Sequence, residues 1–328
     1  MTVRFSADWR LHGLRALVLE NRQLRVTVLP ELGGKIWSIV SKRHDREMLW
    51  HHPRMAPRPA HYGATYDNWF SGGWDEVFPN DYPVTIDGEP YPDHGEVWSL
   101  PMTWHVLEAT DDAVSVALEH RGIAIPTRFR KVLTLEADEP HLRLRYEIAN
   151  EGHQPLKVHW KLHPALPIAA GARLHLPVER VIVDEDFSGS FAQAAFRWPH
   201  APMQGGGDRD MRWLPDPDTG DTWFLYGVQL HAGYCAVSYP EERVGFGVSF
   251  DPDVLTSVWI FGTFGGWRNL STIILEPCTG YPARLDQAIQ QGSVLTLEPR
   301  ATLSTTVVAS VLDGEDAMTA FEDQGGVR

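Results

Sequence analysis

Along Leu142, Leu144, Tyr146 and Ile148 the apolar side chains fall on one side of the backbone, while Arg143, Arg145 and Glu147 fall on the other. A period of two is the mark of an extended strand with one buried face and one wet face, as in antiparallel sheet. The pattern recurs throughout. Residues 14 to 29 read as a hairpin turning at Asn21-Arg22-Gln23, with Leu24, Val26 and Val28 on one face of its second arm. After Gly33-Gly34, the run Lys35-Ile36-Trp37-Ser38-Ile39-Val40 reads as a buried strand. Further strands are expected near 114–119, 128–135, 156–163, 224–230, 234–239, 244–250, 255–261, 271–276 and 301–311. Only Ala283 to Gln291, stopped by Gly292, carries a helical pattern. Strands repeating without intervening helices predict an all-β chain, a large antiparallel β-sandwich with very little helix. Residues 51 to 104 and 184 to 222 read as long irregular stretches, and neither looks like a linker, so residues 1–328 are read as a single domain.

Composition narrows the partners. A formal net charge of −14 repels phosphate backbones and anionic lipid, so neither nucleic acid nor membrane is an expected partner. No window approaches the ~20 apolar residues that span a bilayer. Met1 to Ser6 lacks a signal peptide's apolar core, which gives the expectation of a cytoplasmic protein. Cys235 and Cys278 fit no disulfide framework or zinc spacing and read as buried thiols. His44, His51 and His52 lack a carboxylate at ligand spacing, so no metal is expected.

Three segments far apart in sequence offer groups that move protons: Pro92-Asp93-His94-Gly95-Glu96, Lys161-Leu162-His163-Pro164 and Leu275-Glu276-Pro277. Glu276 follows an apolar strand, Thr272 to Leu275, where loss of water raises a carboxylate's pKa and suits it to act as a base. Alternation places His159, Lys161 and His163 on one strand face and Trp160 and Leu162 on the other, which describes either a lined cleft or a solvated edge. His94 precedes Gly95 in a Pro-rich loop whose backbone freedom can bring an imidazole close to a ligand. Trp69, Phe70, Trp74, Trp98 and Trp104 lie in the first long loop, and Trp259, Phe261, Phe264 and Trp267 precede the Glu276 strand. Such rings can stack on a pyranose or pack in the core.

The order of these motifs resembles the aldose 1-epimerase (galactose mutarotase-like) family. The resemblance runs from Leu29-Pro30-Glu31-Leu32-Gly33-Gly34 through Gly72-Gly73-Trp74-Asp75-Glu76-Val77-Phe78-Pro79-Asn80, Asp93-His94-Gly95 and His163-Pro164-Ala165-Leu166 to Leu275-Glu276-Pro277. It implies the family's antiparallel supersandwich and a cofactor-free interconversion of sugar anomers. On this resemblance Glu276 looks like the general base at the anomeric hydroxyl, His163 like the acid at the ring oxygen, and His94 like the second family histidine. Asp221 best matches the aspartate that holds a sugar hydroxyl, with Asp218 a near competitor, and Trp74, Trp98 and Lys161 are further substrate-binding candidates. The implied partner is a small-molecule monosaccharide, and the implied assembly a monomer or homodimer. The sequence departs from the family in two places. Leu162 stands where an Asn often precedes the acid histidine, and no arginine follows His94-Gly95 to bind a phosphate, so the sugar is expected to be unphosphorylated. A catalytically silent carbohydrate-binding protein is the first alternative. A lyase or hydrolase on the same fold is the second, with Asp75, Glu76 and Glu96 as its further carboxylates.

Overall fold

The computed structural model describes residues 3–325. Its largest sheet has 12 strands and is antiparallel at every pairing, as the period-two patterns require. Its spatial order is Arg4–Leu11, Leu14–Glu20, Leu24–Leu29, Lys35–Ser41, Trp74–Val77, Lys161–Leu166, Ser271–Cys278, Ser257–Phe264, Thr222–Leu230, Val178–Val183 and Ala195–Arg197, with Arg46–Glu47 paired to Lys35–Ser41. A second sheet of eight strands contains Thr103–Ala109, Ala113–Arg121, Thr127–Glu136, His141–Asn150, Thr302–Asp313, Val244–Ser249, Tyr234–Tyr239 and Arg173–His175 in spatial order. One continuous core joins the sheets: Val26, Trp74, Leu162, Val258 and Leu275 from the first pack in the same cluster as Val116, Leu133, Leu144, Phe246 and Val307 from the second. This is a sandwich, with its apolar filling between two antiparallel layers.

The central strands of the large sheet are buried on both faces, and alternation decides what each face carries. In Lys161–Leu166, Leu162 and Leu166 join the inter-sheet core, whereas Ala165 joins a separate cluster on the outer face with Tyr66, Phe70 and Ile274. In Ser271–Cys278, Ile273 and Leu275 point inward, and Ile274 and Cys278 belong to the outer clusters. That outer face is covered by the segments 51–72 and 78–100, which are irregular as expected only in part. Trp74–Val77 is a central strand within the first long stretch, and Ala195–Arg197, His200–Pro202 and Asp208–Asp210 break up the second. Among the described residues the α-helices are Leu285–Gln291, as read from the sequence, and Gly314–Asp323, which carries no such signal. No helix among the described residues is long and apolar enough to cross a membrane. Cys235 and Cys278 are free, buried thiols.

Candidate active site

The outer face of the central strands lines an open pocket of about 250 Å³. Lys161 and His163 enter it from one strand and Glu276 from the next, placed by the same alternation that sends Leu162 and Leu275 into the core. His94 arrives from a loop. Its backbone N–H donates to Asp81 O at 2.6 Å, and Glu96 N–H donates to Phe78 O at 2.8 Å, so the two flanks of this loop are pinned to the 78–81 segment. Gly95 takes a left-handed φ of 67°, and a Cβ there would lie 2.0 Å from Phe78 O, so only glycine permits the approach. His94 itself is left-handed, at φ 55°, an unfavourable state for a residue with a Cβ that the clasped loop enforces.

The polar groups form a connected set. Lys161 Nζ is in contact with both Glu276 Oε2 and Asp81 Oδ2, and sits 4.6 Å from the centre of the Trp259 ring. Glu276 Oε1 lies 4.0 Å from His163 Nε2. His163 Nδ1 is 3.2 Å from the Tyr66 hydroxyl, and His94 Nδ1 is 2.8 Å from Asp93 Oδ1. The Tyr66 and His94 rings stack 4.1 Å apart, and the two imidazole centres are 6.1 Å apart. Phe70, Phe187, Phe224, Phe261 and Trp267 supply an apolar wall, and Asp67, Tyr82 and Asp93 complete the polar lining.

These contacts set the charges. Burial raises the pKa of Glu276, and Lys161 only partly offsets it, so the carboxyl titrates above its usual range. Burial would raise Asp81 too, but Lys161 and His94 outweigh it and hold that carboxylate below its usual range. Lys161 is raised, because Asp81 and Glu276 outweigh its burial. The two histidines diverge. Burial, reinforced by Lys161 and then His94, pushes His163 well below the usual imidazole value, so it is neutral. Burial also disfavours charge on His94, but Asp81 and the hydrogen bond to Asp93 outweigh it, and its pKa is raised. The site therefore offers an ammonium shared by two carboxylates, one neutral imidazole and one imidazole that favours its proton.

Of the residues singled out in the sequence, Glu276, His163, His94 and Lys161 meet in this pocket, and Phe70, Phe261 and Trp267 line it. Others do not belong to the lining. Trp74 is fully buried in the inter-sheet core, because its strand turns Trp74 and Glu76 inward and Asp75 outward, so it cannot stack on a ligand. Trp98 lies behind the loop, its Nε1–H donating to Asp93 O at 3.1 Å and its ring set edge-on to Tyr66. Asp221 is paired with Arg209 at 3.2 Å and, like Asp218, is absent from the pocket. The carboxylates that do line it are Asp67, Asp81, Asp93 and Glu276. His159 is buried against the Trp259 ring, with its pKa lowered to about 4 by desolvation, and lies outside the lining. Asp81 follows directly on the Gly72-to-Asn80 motif and could have been sought there. Tyr66 carried no sequence signal. Among the described residues no group of three or more His, Cys, Asp or Glu side chains could hold a metal ion.

Solved structures share this architecture. A candidate aldose 1-epimerase from Klebsiella pneumoniae superposes with a TM-score of 0.79 at 16% identity, covering 98% of this chain and 86% of that one. A galactose mutarotase-like protein from Clostridium acetobutylicum gives 0.69 at 11% identity, over 95% and 99% of the two chains. A galactose mutarotase related enzyme from Lactobacillus acidophilus gives 0.60 at 14% identity, over 92% and 98%. At such identities the likeness establishes a fold, and the fold is the galactose mutarotase-like sandwich. Within that class, the chain belongs to the DUF5107 family, a domain of unknown function, whose pattern it matches over residues 7–188.

Proposed function

We propose that the protein is a sugar 1-epimerase that interconverts the α and β anomers of a neutral monosaccharide by opening and reclosing the ring. The observation that carries this reading is the convergence of Glu276, His163 and His94, from three distant segments, on one open pocket. Glu276 Oε1 and His163 Nε2 lie 4.0 Å apart, so both can reach neighbouring oxygens of one sugar. Glu276 removes the proton from the anomeric hydroxyl as the C1–O5 bond breaks, and a proton passes to the ring oxygen. Rotation about C1–C2 and the reverse transfers give the other anomer.

The charge states redistribute the roles implied by the family resemblance. Burial and Lys161 hold His163 well below the usual imidazole value, whereas Asp81 and Asp93 hold His94 above it. We therefore assign proton donation to His94 and hydrogen bonding of a sugar hydroxyl to His163. Coordinated removal and delivery of a proton avoids a full charge on the sugar. Four carboxylates face Lys161 and the two imidazoles in a lining that contains no arginine, which disfavours phosphorylated and acidic sugars.

Asp81 gives the hydrolase alternative a second carboxylate beside Glu276. Both carboxylates, however, share the single ammonium of Lys161 rather than flanking a bond, and hydrolysis of a glycoside needs flanking groups. The test is magnetisation exchange between the two anomeric proton resonances of neutral hexoses and pentoses. Exchange accelerated above the spontaneous rate for at least one sugar is expected. Saturable binding with no acceleration across the panel would instead identify a silent binding protein.

A further inference from the structure

Tyr66 makes contacts that ring opening as described does not use. Its hydroxyl is 2.8 Å from Asp75 Oδ2 and 3.2 Å from His163 Nδ1. Asp75 Oδ2 also accepts from Lys35 Nζ at 2.7 Å, and Lys35 donates to Gly72 O at 2.8 Å. Lys35, Asp75, Tyr66 and His163 are all buried, with at most 4% exposure.

A phenol has one proton to give, and an ionised carboxylate can only accept. Tyr66 gives its proton to Asp75, which leaves its oxygen as an acceptor toward His163. The hydrogen must then sit on His163 Nδ1, and in a neutral imidazole the other nitrogen is bare. That nitrogen, Nε2, is the atom 4.0 Å from Glu276 Oε1. The opposite tautomer would turn an N–H toward Glu276 and compete with the sugar for the base.

We propose that Tyr66, oriented by Asp75 and Lys35, is a positioning residue that fixes His163 in the Nδ1–H tautomer and so presents an unprotonated Nε2 to the ligand. The Nδ1–H follows from the contacts and the bare Nε2 from the burial that disfavours a charged ring, while the effect on turnover rests on the epimerase reading. Stacked on His94 at 4.1 Å, the same side chain orders both imidazoles of the site.

The test is long-range 1H–15N correlation spectroscopy of the full chain with 15N-labelled histidine, near neutral pH. The wild type is expected to show His163 protonated at Nδ1 alone. Tyr66→Phe keeps the ring stack and removes the acceptor, so His163 should gain the Nε2–H form. With an active sugar, kcat/KM should fall at least about tenfold, because the Nε2–H form withholds the acceptor from the sugar hydroxyl and occupies Glu276. An Nε2–H or doubly protonated His163 in the wild type would overturn the proposal, as would an unchanged tautomer in a folded Tyr66→Phe. Should that variant fail to fold, the wild-type spectrum still decides. Because the spectrum needs no turnover, its outcome is separate from that of the epimerase reading.

Discussion

Among the described residues, two buried lysine–glutamate contacts lie on opposite faces of the same sheet. Lys131 meets Glu76 at 2.9 Å between the two sheets, both side chains fully enclosed, with the Tyr146 hydroxyl donating to the same carboxylate at 2.8 Å. Lys161 meets Glu276 on the other face, also with little exposure, but there the groups line a pocket. The residue types are alike and the surroundings differ. Lys131 has Glu76 as its ion-pair partner among the described residues, whereas Lys161 has both Asp81 and Glu276. A single enclosed pair cannot lose a member without stranding a charge. A lysine with two carboxylates can spare one, which leaves Glu276 free to exchange protons with a ligand. Strand alternation produces both outcomes: the sequence Trp74-Asp75-Glu76 puts Glu76 in the core and Asp75 behind the site.

The sharpest way to break this contrast is to neutralise each glutamate in turn. Glu276→Gln should lower kcat for anomer exchange on the order of 10³-fold, the scale of a lost general base. Its unfolding free energy should change by only about 1 kcal/mol, since Asp81 still neutralises Lys161. Glu76→Gln should do the reverse, with about 3–5 kcal/mol of stability lost in denaturant titration and exchange per folded molecule retained. Equal stability losses in the two variants would remove the distinction.

A smaller effect concerns the histidines. The profile of kcat/KM should rise with pH as Glu276 ionises, above the usual carboxylate range, and fall where His94 loses its proton, above the usual imidazole range. His163, held well below the usual imidazole value by burial, adds no alkaline limb. His94→Gln should cost on the order of 10²-fold in kcat/KM and abolish the alkaline fall. A profile that keeps its alkaline limb in this variant would move the donated proton elsewhere. The smallest effect expected is that of Asp221→Ala. Its ion-pair partner is Arg209, and both side chains are half-buried outside the pocket, so KM for the sugar should move by less than about twofold. A large rise in KM would restore Asp221 to the site.

Much of the fold was legible because burial on one face writes itself into the sequence at period two. His141–Asn150 alternates in burial as its residues alternate in polarity, and Gly292 takes the left-handed conformation that stops the helix before it. Elements with few buried positions escaped. Thr103–Ala109 is an exposed edge strand with little burial, and Gly314–Asp323 buries only Met318 and Phe321. Trp74 misled because glycines and aromatics around it resemble a loop, although it opens a central strand. At the site, Glu276, His163 and His94 could be picked out because each combines an ionisable group with a strand end or a Gly or Pro neighbour. Asp81 and Tyr66 depend on which loops fold over the sheet's outer face. That is set by contacts such as Tyr66 N–H to Asp93 Oδ2 at 2.9 Å, between residues 27 apart, and no local pattern encodes it.

The most direct test of the account is a crystal structure of Glu276→Gln with a monosaccharide that the wild type turns over. The account predicts the anomeric hydroxyl about 3 Å from the side chain at position 276, within hydrogen-bond reach, with the ring oxygen facing His94. A sugar bound with its reducing carbon turned away toward Trp267 and the solvent would contradict it.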